Sequence, residues 1–366
     1  MKAASDWTRL SRSDLPKTSG KNRLIMDAME TESPLPDPGL QPTTPTETPR
    51  QSEGLIPDSS SQMVRTENLS IPSRSIFKNL CELLDMIKFE HTVFALPFAL
   101  LGALSAAQGL PPLRTSLWIL AAMVGARTAA MTFNRLVDAD IDAENPRTAG
   151  RALPAGRVSR VGAFALLGAG IVLFGVAAGA LGPLTWLLSP LALVIILGYS
   201  LCKRFTSWAH VVLGLSLAGA PLGAWIAVAG RIEAPALWLS AGVLAWTAGF
   251  DIIYSLQDET FDRSTGLHSI PSRLGTHRAL RLSQAFHLLA LLCWGTFNFQ
   301  LGGHLWPWAG WGAVAAMLAR EQWLVREGDL SRIDQAFFTL NSLIGLVFFA
   351  GHALEWALMK TLPMAL

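Results

Sequence analysis

The sequence predicts an all-α fold, a polytopic membrane helical bundle of about nine transmembrane helices. Three observations carry this. Of the 366 residues, 51% are hydrophobic and only 15% are charged, where soluble domains carry about a quarter charged residues. From Phe77 onward, apolar stretches long enough to cross about 30 Å of hydrocarbon recur with short breaks. Lys and Arg then crowd onto alternate breaks, as cytoplasmic loops of a multi-span protein do.

The first 75 residues differ in kind. They hold nine of the 21 prolines, many Ser and Thr, and almost no apolar periodicity. Such a segment buries too little surface to offset its chain entropy, so residues 1–75 are expected to be a disordered tail. It has no apolar h-region and does not read as a cleavable signal peptide. Residues 76–366 form the transmembrane domain, with spans expected near 86–108, 115–137, 161–181, 184–202, 209–230, 236–257, 280–300, 304–322 and 334–358.

Nine spans put the two termini on opposite sides. One set of flanks holds 17 basic residues, among them Lys88, Arg135, Arg147, Arg151, Lys203, Arg204, Arg263 and Arg273; the other holds only Arg114, Arg231 and Lys360. The asymmetry places the N-terminus on the cytoplasmic side of the cell (inner) membrane and the C-terminus outside. A net charge of +2 argues against nucleic acid as a partner. Cys81, Cys202 and Cys293 are scattered without a CxxC and read as packed thiols. Gly175 with Gly179, and Gly219 with Gly223, form GxxxG pairs expected to let helices approach closely. Trp306, Trp308 and Trp311 cluster where the eighth span begins, as an interfacial belt would.

Within this apolar background one polar pattern occurs twice. Asn134, Asp138 and Asp142 share the i, i+4, i+8 spacing of Tyr254, Asp258 and Asp262, and corresponding members differ by 120 positions. That spacing aligns each triad along one helix face, about 6 Å per step. Both triads end a long apolar segment on the same side of the membrane. A single acidic run such as Asp138, Asp140, Asp142 and Glu144 reads equally well as a solvated loop face; two matched runs do not. Four facing carboxylates at a lipid boundary repel unless cations neutralise them, and a pair of Mg²⁺ ions holding a diphosphate is the simplest neutraliser. Asn145-Pro146 and the Gly266…Pro271 segment break the helices, and the loops beyond carry Arg147, Arg151, Arg263 and Arg273, whose forks suit phosphate oxygens. Apolar helices alongside can accept a hydrocarbon tail, which makes a lipid diphosphate the economical substrate.

The quoted stretches resemble a known family. NRLVDADID is similar to the N-x-x-x-D-x-x-x-D motif of the UbiA superfamily of intramembrane prenyltransferases, and DIIYSLQDETFD to its second motif. NPRTAGRALPAG and GLHSIPSRLG resemble the 4-hydroxybenzoate polyprenyltransferase branch. FNRLVD together with GLHSIP looks closest to enzymes proposed to prenylate a naphthoate in the futalosine route to menaquinone. The resemblance covers about residues 77–366. It implies a UbiA-type bundle with a central cavity, where Asn134, Asp138 and Asp142 bind one Mg²⁺–diphosphate, Asp258 and Asp262 bind the other, and Asp251 and Tyr254 line the wall. It also implies a polyprenyl diphosphate donor and a small hydroxylated aromatic acid as acceptor, 4-hydroxybenzoate or 1,4-dihydroxy-6-naphthoate.

Other polar residues fit this frame. Arg127 precedes Asn134 by seven residues on the same helix face; a buried Arg in a span faces the bundle interior, so it reads as an anchor for the acceptor carboxylate or the diphosphate, or as an ion-pair partner of Asp251 or another motif carboxylate. Lys88 reaches the same pocket or snorkels to the interface. Glu90 and His91 are polar near the pocket entrance, with the single His reading as a packed residue rather than a ligand, and Asn341, His352 and Glu355 show no interpretable spacing. One alternative within the resembled superfamily is a prenyltransferase with a haem, chlorophyll-precursor or ether-lipid acceptor, against which the GLHSIP stretch argues by resemblance; the competing class outside it is a membrane carrier. A carrier places its charged site near mid-bilayer on broken helices, whereas here the acids gather at one end beside basic loops.

Overall fold

The computed structural model describes Glu82 and residues 92–361. The proposed tail, Cys81, Lys88, Glu90 and His91 lie outside the described residues. Those described form helices and connecting turns, without a strand among them.

The helices are α1 (Thr92–Ala107), α2 (Leu113–Val137), α3 (Ala139–Glu144), α4 (Arg160–Leu181), α5 (Pro183–Cys202), α6 (Ala209–Ala229), α7 (Ala234–Ser255), α8 (Glu259–Ser264), α9 (Ile270–Leu274), α10 (Thr276–Gln300), α11 (Leu305–Leu324) and α12 (Asn341–Thr361). Among the described residues, six spans are long and apolar enough to cross a membrane, carried by α2, α4, α5, α6, α7 with its extension to Ser264, and α12 with the turn before it. α1 is apolar but shorter, and α10 and α11 fall outside this set on hydropathy. The physical reason is visible: α10 carries His277, Arg278, Arg281 and His287, and α11 carries Arg320 and Glu321.

Helix ends follow local chemistry. Ser159 caps α4 by accepting from the Gly162 N–H at 3.1 Å. Pro183 opens α5, where a missing N–H costs nothing. Gly230 ends α6 at φ 70°, a left-handed conformation that favours glycine.

The bundle is organised around α7, which packs against both α6 and α10, while α2 packs on α4 and α1 packs on α6 and α12. α7 is 72% buried over its apolar window, the highest share of the six spans. An aromatic cluster fills the interior beside it: Trp246 meets Phe98 at 5.3 Å and Phe250 at 4.9 Å, and Phe98 stacks on Trp294 at 5.2 Å between ring centres.

The glycines that allow close packing are not the expected pairs. A Cβ on Gly125 would lie 2.6 Å from the Phe174 nitrogen, and one on Gly170 2.7 Å from the Ala129 nitrogen, so this α2–α4 contact needs both glycines. Gly175 and Gly179 instead face the Trp186 ring, and a Cβ on Gly219 or Gly223 would meet nothing within 4 Å. The i, i+4 spacing marks a smooth helix stripe; it does not say which stripe a neighbour covers. Trp306 and Trp308 are exposed at the start of α11, but Trp311 turns inward and donates to the Leu291 carbonyl at 2.9 Å.

Candidate active site

The two acidic motifs share one construction. α2 stops at Val137, Asp138 takes φ −91°, ψ 5°, and the six-residue α3 follows. α7 stops at Ser255, a 3₁₀ turn runs from Leu256 to Asp258, Asp258 takes φ −101°, ψ 3°, and the six-residue α8 follows. The expected unbroken helical face is therefore interrupted at the middle aspartate of each triad. Both residues sit in the bridge region of backbone space, where many active-site residues are found. In the first motif the hydrogen-bond ladder persists across the break: Asp138 N–H donates to the Asn134 carbonyl at 2.9 Å and Asp142 N–H to the Asp138 carbonyl at 2.7 Å.

Every carboxylate of the two triads lies beside a cation. Asn134 Nδ2 donates to Asp138 Oδ2 at 2.9 Å, and Arg204 lies 3.4 Å from Asp138 Oδ1 while donating to the Val137 carbonyl at 2.8 Å. Asp142 is buried and accepts both bonds of Arg151 Nη1, at 2.6 and 2.7 Å, with Arg135 at 3.9 Å. Asp258 receives the Arg147 fork, Nε at 2.9 Å and Nη2 at 2.5 Å, and Asn145 Nδ2 at 3.2 Å. Asp262 is nearly sealed, with Lys203 Nζ 4.0 Å away. Burial, and then the neighbouring Asp142, push the Asp138 carboxyl above its ordinary range, against the pull of Arg204 and Lys203. Burial opposes the charge on Arg147, but the hydrogen bonds and charge of Asp258 outweigh it and hold its pKa above the ordinary value.

The motifs thus meet in space. Asn145 and Arg147 follow the first motif, yet they bond Asp258 of the second. Arg147 Nη1 also donates to the Tyr254 hydroxyl at 3.2 Å, with the guanidinium 5.4 Å from the ring centre. Tyr254 stacks on Phe337 at 4.0 Å. Phe337 lies in a π-helical turn, Gln335–Leu340, that leads into α12.

The remaining expected residues are placed as follows. Arg127 sits on α2 within electrostatic reach of Tyr199, as does Arg135. Asp251 bonds His210 at 2.7 Å, and this is its described partner rather than Arg127. Arg263 bonds Glu259 at 3.0 Å on the exposed side of α8, and Arg273 is exposed at the end of α9, so neither joins the carboxylate cluster in the described contacts. Sequence reasoning missed Asn145, Lys203, Arg204 and His210 as members of the site. Lys203 and Arg204 served only in the charge count; their position at the motif end of a span was the available signal. Asn341 proves to be a buried hub, bonding Trp246, Glu321 and the carbonyls of Ala336 and Phe337.

An oxygen-rich site suits a hard divalent cation. Asp262 Oδ2 is buried with no hydrogen-bond partner, an acceptor that a cation would satisfy. Among the described residues no three acidic, His or Cys side chains converge as a ready-made metal site, and Arg147 and Arg151 pair with Asp258 and Asp142.

Fold and site together define a polytopic helical membrane protein with paired acidic motifs joined at one end of its bundle. Residues 95–343 match the UbiA prenyltransferase family, and the chain belongs to it. It is 33% identical over 254 residues to a 4-hydroxybenzoate octaprenyltransferase of Chromohalobacter salexigens, covering 68% of this chain and 83% of that protein. The apo structure of a UbiA homolog from Aeropyrum pernix K1 superposes with TM-score 0.67 at 36% identity, covering 73% of this chain and 98% of that one. A UbiA homolog from Archaeoglobus fulgidus, bound to DMAPP and Mg²⁺, shares the fold with TM-score 0.63 at 18% identity, covering 75% and 99%.

Proposed function

We propose that this chain is an integral membrane, Mg²⁺-dependent prenyltransferase that moves a polyprenyl group from polyprenyl diphosphate to a ring carbon of a hydroxylated aromatic acid. 4-Hydroxybenzoate, the acceptor in the name of the curated relative, is the first candidate, and the product belongs to quinone biosynthesis. The observation that carries the reading is the bonding of Asn145 and Arg147 to Asp258, which makes one site of two motifs.

Asn134, Asp138 and Asp142 on one side, and Asp258 and Asp262 on the other, are the residues to hold the metal. When bound, the metal supplies charge neutralisation for the departing diphosphate. Arg147, Arg151, Arg204 and Lys203, now on carboxylates, are placed to turn to phosphate oxygens and hold them in line. Tyr254 presents its ring and hydroxyl beside Arg147, where it can face the cationic allylic carbon or orient phosphate. Arg127 anchors the acceptor carboxylate, Arg135 braces Asp142, and the exposed Arg263 and Arg273 add positive charge; Lys88 is a further substrate-binding candidate on its sequence alone. The charge asymmetry of the loops supports a cytoplasmic position for this end of the bundle at the inner membrane, and the composition of residues 1–75 supports a tail separate from a 76–366 transferase domain.

The test is a membrane-fraction assay with Mg²⁺, a polyprenyl diphosphate, and either 4-hydroxybenzoate or 1,4-dihydroxy-6-naphthoate, read by mass spectrometry. Prenylated hydroxybenzoate is the expected product. Prenylated naphthoate moves the protein to menaquinone synthesis, and no product from either discards the acceptor class.

A further inference from the structure

His210, the second residue of α6, is fully buried and joins three elements of the site. Its Nδ1 lies 2.7 Å from Asp251 Oδ2 on α7, and its Nε2 accepts the Ile270 N–H at 3.3 Å. An imidazole tautomer has one donor nitrogen and one acceptor nitrogen. With Ile270 occupying the acceptor at Nε2, the hydrogen-bond network assigns the proton to Nδ1, where it is donated to Asp251.

Ile270 is held in turn. It is the first residue of α9, and Ser269 caps that helix reciprocally with Ser272, at 3.2 and 2.9 Å. A first-turn N–H has no partner within its own helix, so the Ile270 N–H is available for His210. Two residues earlier, the His268 N–H bonds the Lys203 carbonyl at 2.7 Å. The GLHSIP segment thus braces His210 and Lys203 together.

Asp251 occupies the accessible face of the most enclosed span. Residues 245–250, 252, 253 and 255 are all buried, while Asp251 and Tyr254 keep some exposure, 22% for the Asp251 side chain. Tyr254 follows three residues on along the same face of α7, and its hydroxyl bonds Arg147 of the site, so the accessible side of Asp251 is the side of the site.

We infer that His210 is a positioning residue: it holds the Asp251 carboxylate with one oxygen committed and the other turned to the aromatic acceptor, whose ring hydroxyl donates to it. This rests on the proposed function. A carboxylate receiving that hydrogen bond enriches the ring electronically and sets its orientation, and it touches the acceptor rather than the prenyl donor. A merely structural His210 would serve the α6–α9 contact through Nε2 alone.

The two roles separate by substitution, because the Asn amide nitrogen falls near the position of Nδ1 and the Gln amide near that of Nε2. His210→Asn keeps the bond to Asp251, His210→Gln keeps the bond to Ile270, and His210→Phe keeps neither. The experiment measures kcat and KM for acceptor and donor separately in membranes holding the full chain, with folded protein quantified in detergent extracts. Expected are a loss of about tenfold or more in acceptor kcat/KM for His210→Gln and His210→Phe, a loss under about threefold for His210→Asn, and an unchanged donor KM. His210→Gln matching or exceeding His210→Asn overturns the inference, as does a fall in all three variants that tracks the amount of folded protein. Aromatic product from the wild type with the wrong order of variants refutes this inference alone; no aromatic product from the wild type removes the functional reading and this inference with it.

Discussion

Arg147→Ala separates the two jobs assigned to this arginine. The wild-type guanidinium gives Asp258 two charge-assisted bonds, at 2.9 and 2.5 Å, and the Tyr254 hydroxyl one more at 3.2 Å. Asp258 has 9% of its side chain exposed and Arg147 has 32%. Removing one partner from an ion pair strands the other. Here partial exposure screens the loss and Asn145 still donates to Asp258, so the expected cost in stability is about 1–3 kcal/mol. Turnover has a different scale. A donor aimed at charge that develops in the transition state is worth about 10²–10³ in kcat, and the proposed function makes Arg147 such a donor. Arg147→Ala should therefore unfold only a few degrees earlier in detergent yet lose about a hundredfold or more in kcat. Arg147→Lys, which keeps the charge and loses the fork, should fall between, at about tenfold. Both are read by kcat and donor KM in membranes at saturating Mg²⁺. Turnover of Arg147→Ala within about threefold of wild type would show that Arg147 is only the counter-ion of Asp258 and sink the diphosphate role.

Three further outcomes are expected. Asp138→Asn keeps the bond from Asn134 possible but removes a metal-ligand charge, and should abolish turnover while folding and membrane insertion persist; near-wild-type activity would remove the two-motif metal site. Arg127→Ala should raise the acceptor KM and leave the donor KM alone, and the reverse would move Arg127 to the diphosphate. Gly170→Val forces a side chain into the α2 backbone at a place where even a Cβ lies 2.7 Å from Ala129, so it should cost several kcal/mol or abolish folding, whereas Gly219→Val, where nothing lies within 4 Å, should be near neutral. Equal loss of folded protein from the two would refute the packing argument.

How far the sequence reaches depends on the range of each signal. Span positions were legible because hydropathy is local and summed over a window, and each expected span lies close to one helix. The hydropathy of α10 and α11 is less telling, because both carry polar residues whose burial depends on neighbours. His287 lies against Gly249 of α7, and Glu321 bonds Asn341 of α12. Glycine spacing gave the wrong helix faces for the same reason. The triads were legible because their repeat is written in one strand of text. Their counter-ions were legible only in part. Arg151 reaches back nine residues to Asp142, but Arg147 crosses 111 to Asp258, and Arg204 crosses 66 to Asp138.

The backbone adds an argument that residue spacing alone leaves open. Beyond the triads the two halves share little sequence, so the 120-residue offset is a weak case for duplication. Yet Asp138 and Asp258 adopt nearly the same dihedrals, and each stands between a long helix and a six-residue one. A continuous helix sets the third residue of a triad about 6 Å further along the axis. Here each motif goes on, past its second residue, into a six-residue helix in which Asp142 and Asp262 are both buried. The recurrence of this break at equivalent positions follows whether the halves descend from one unit or converged on the same requirement, that two carboxylates per side each stand beside a cation.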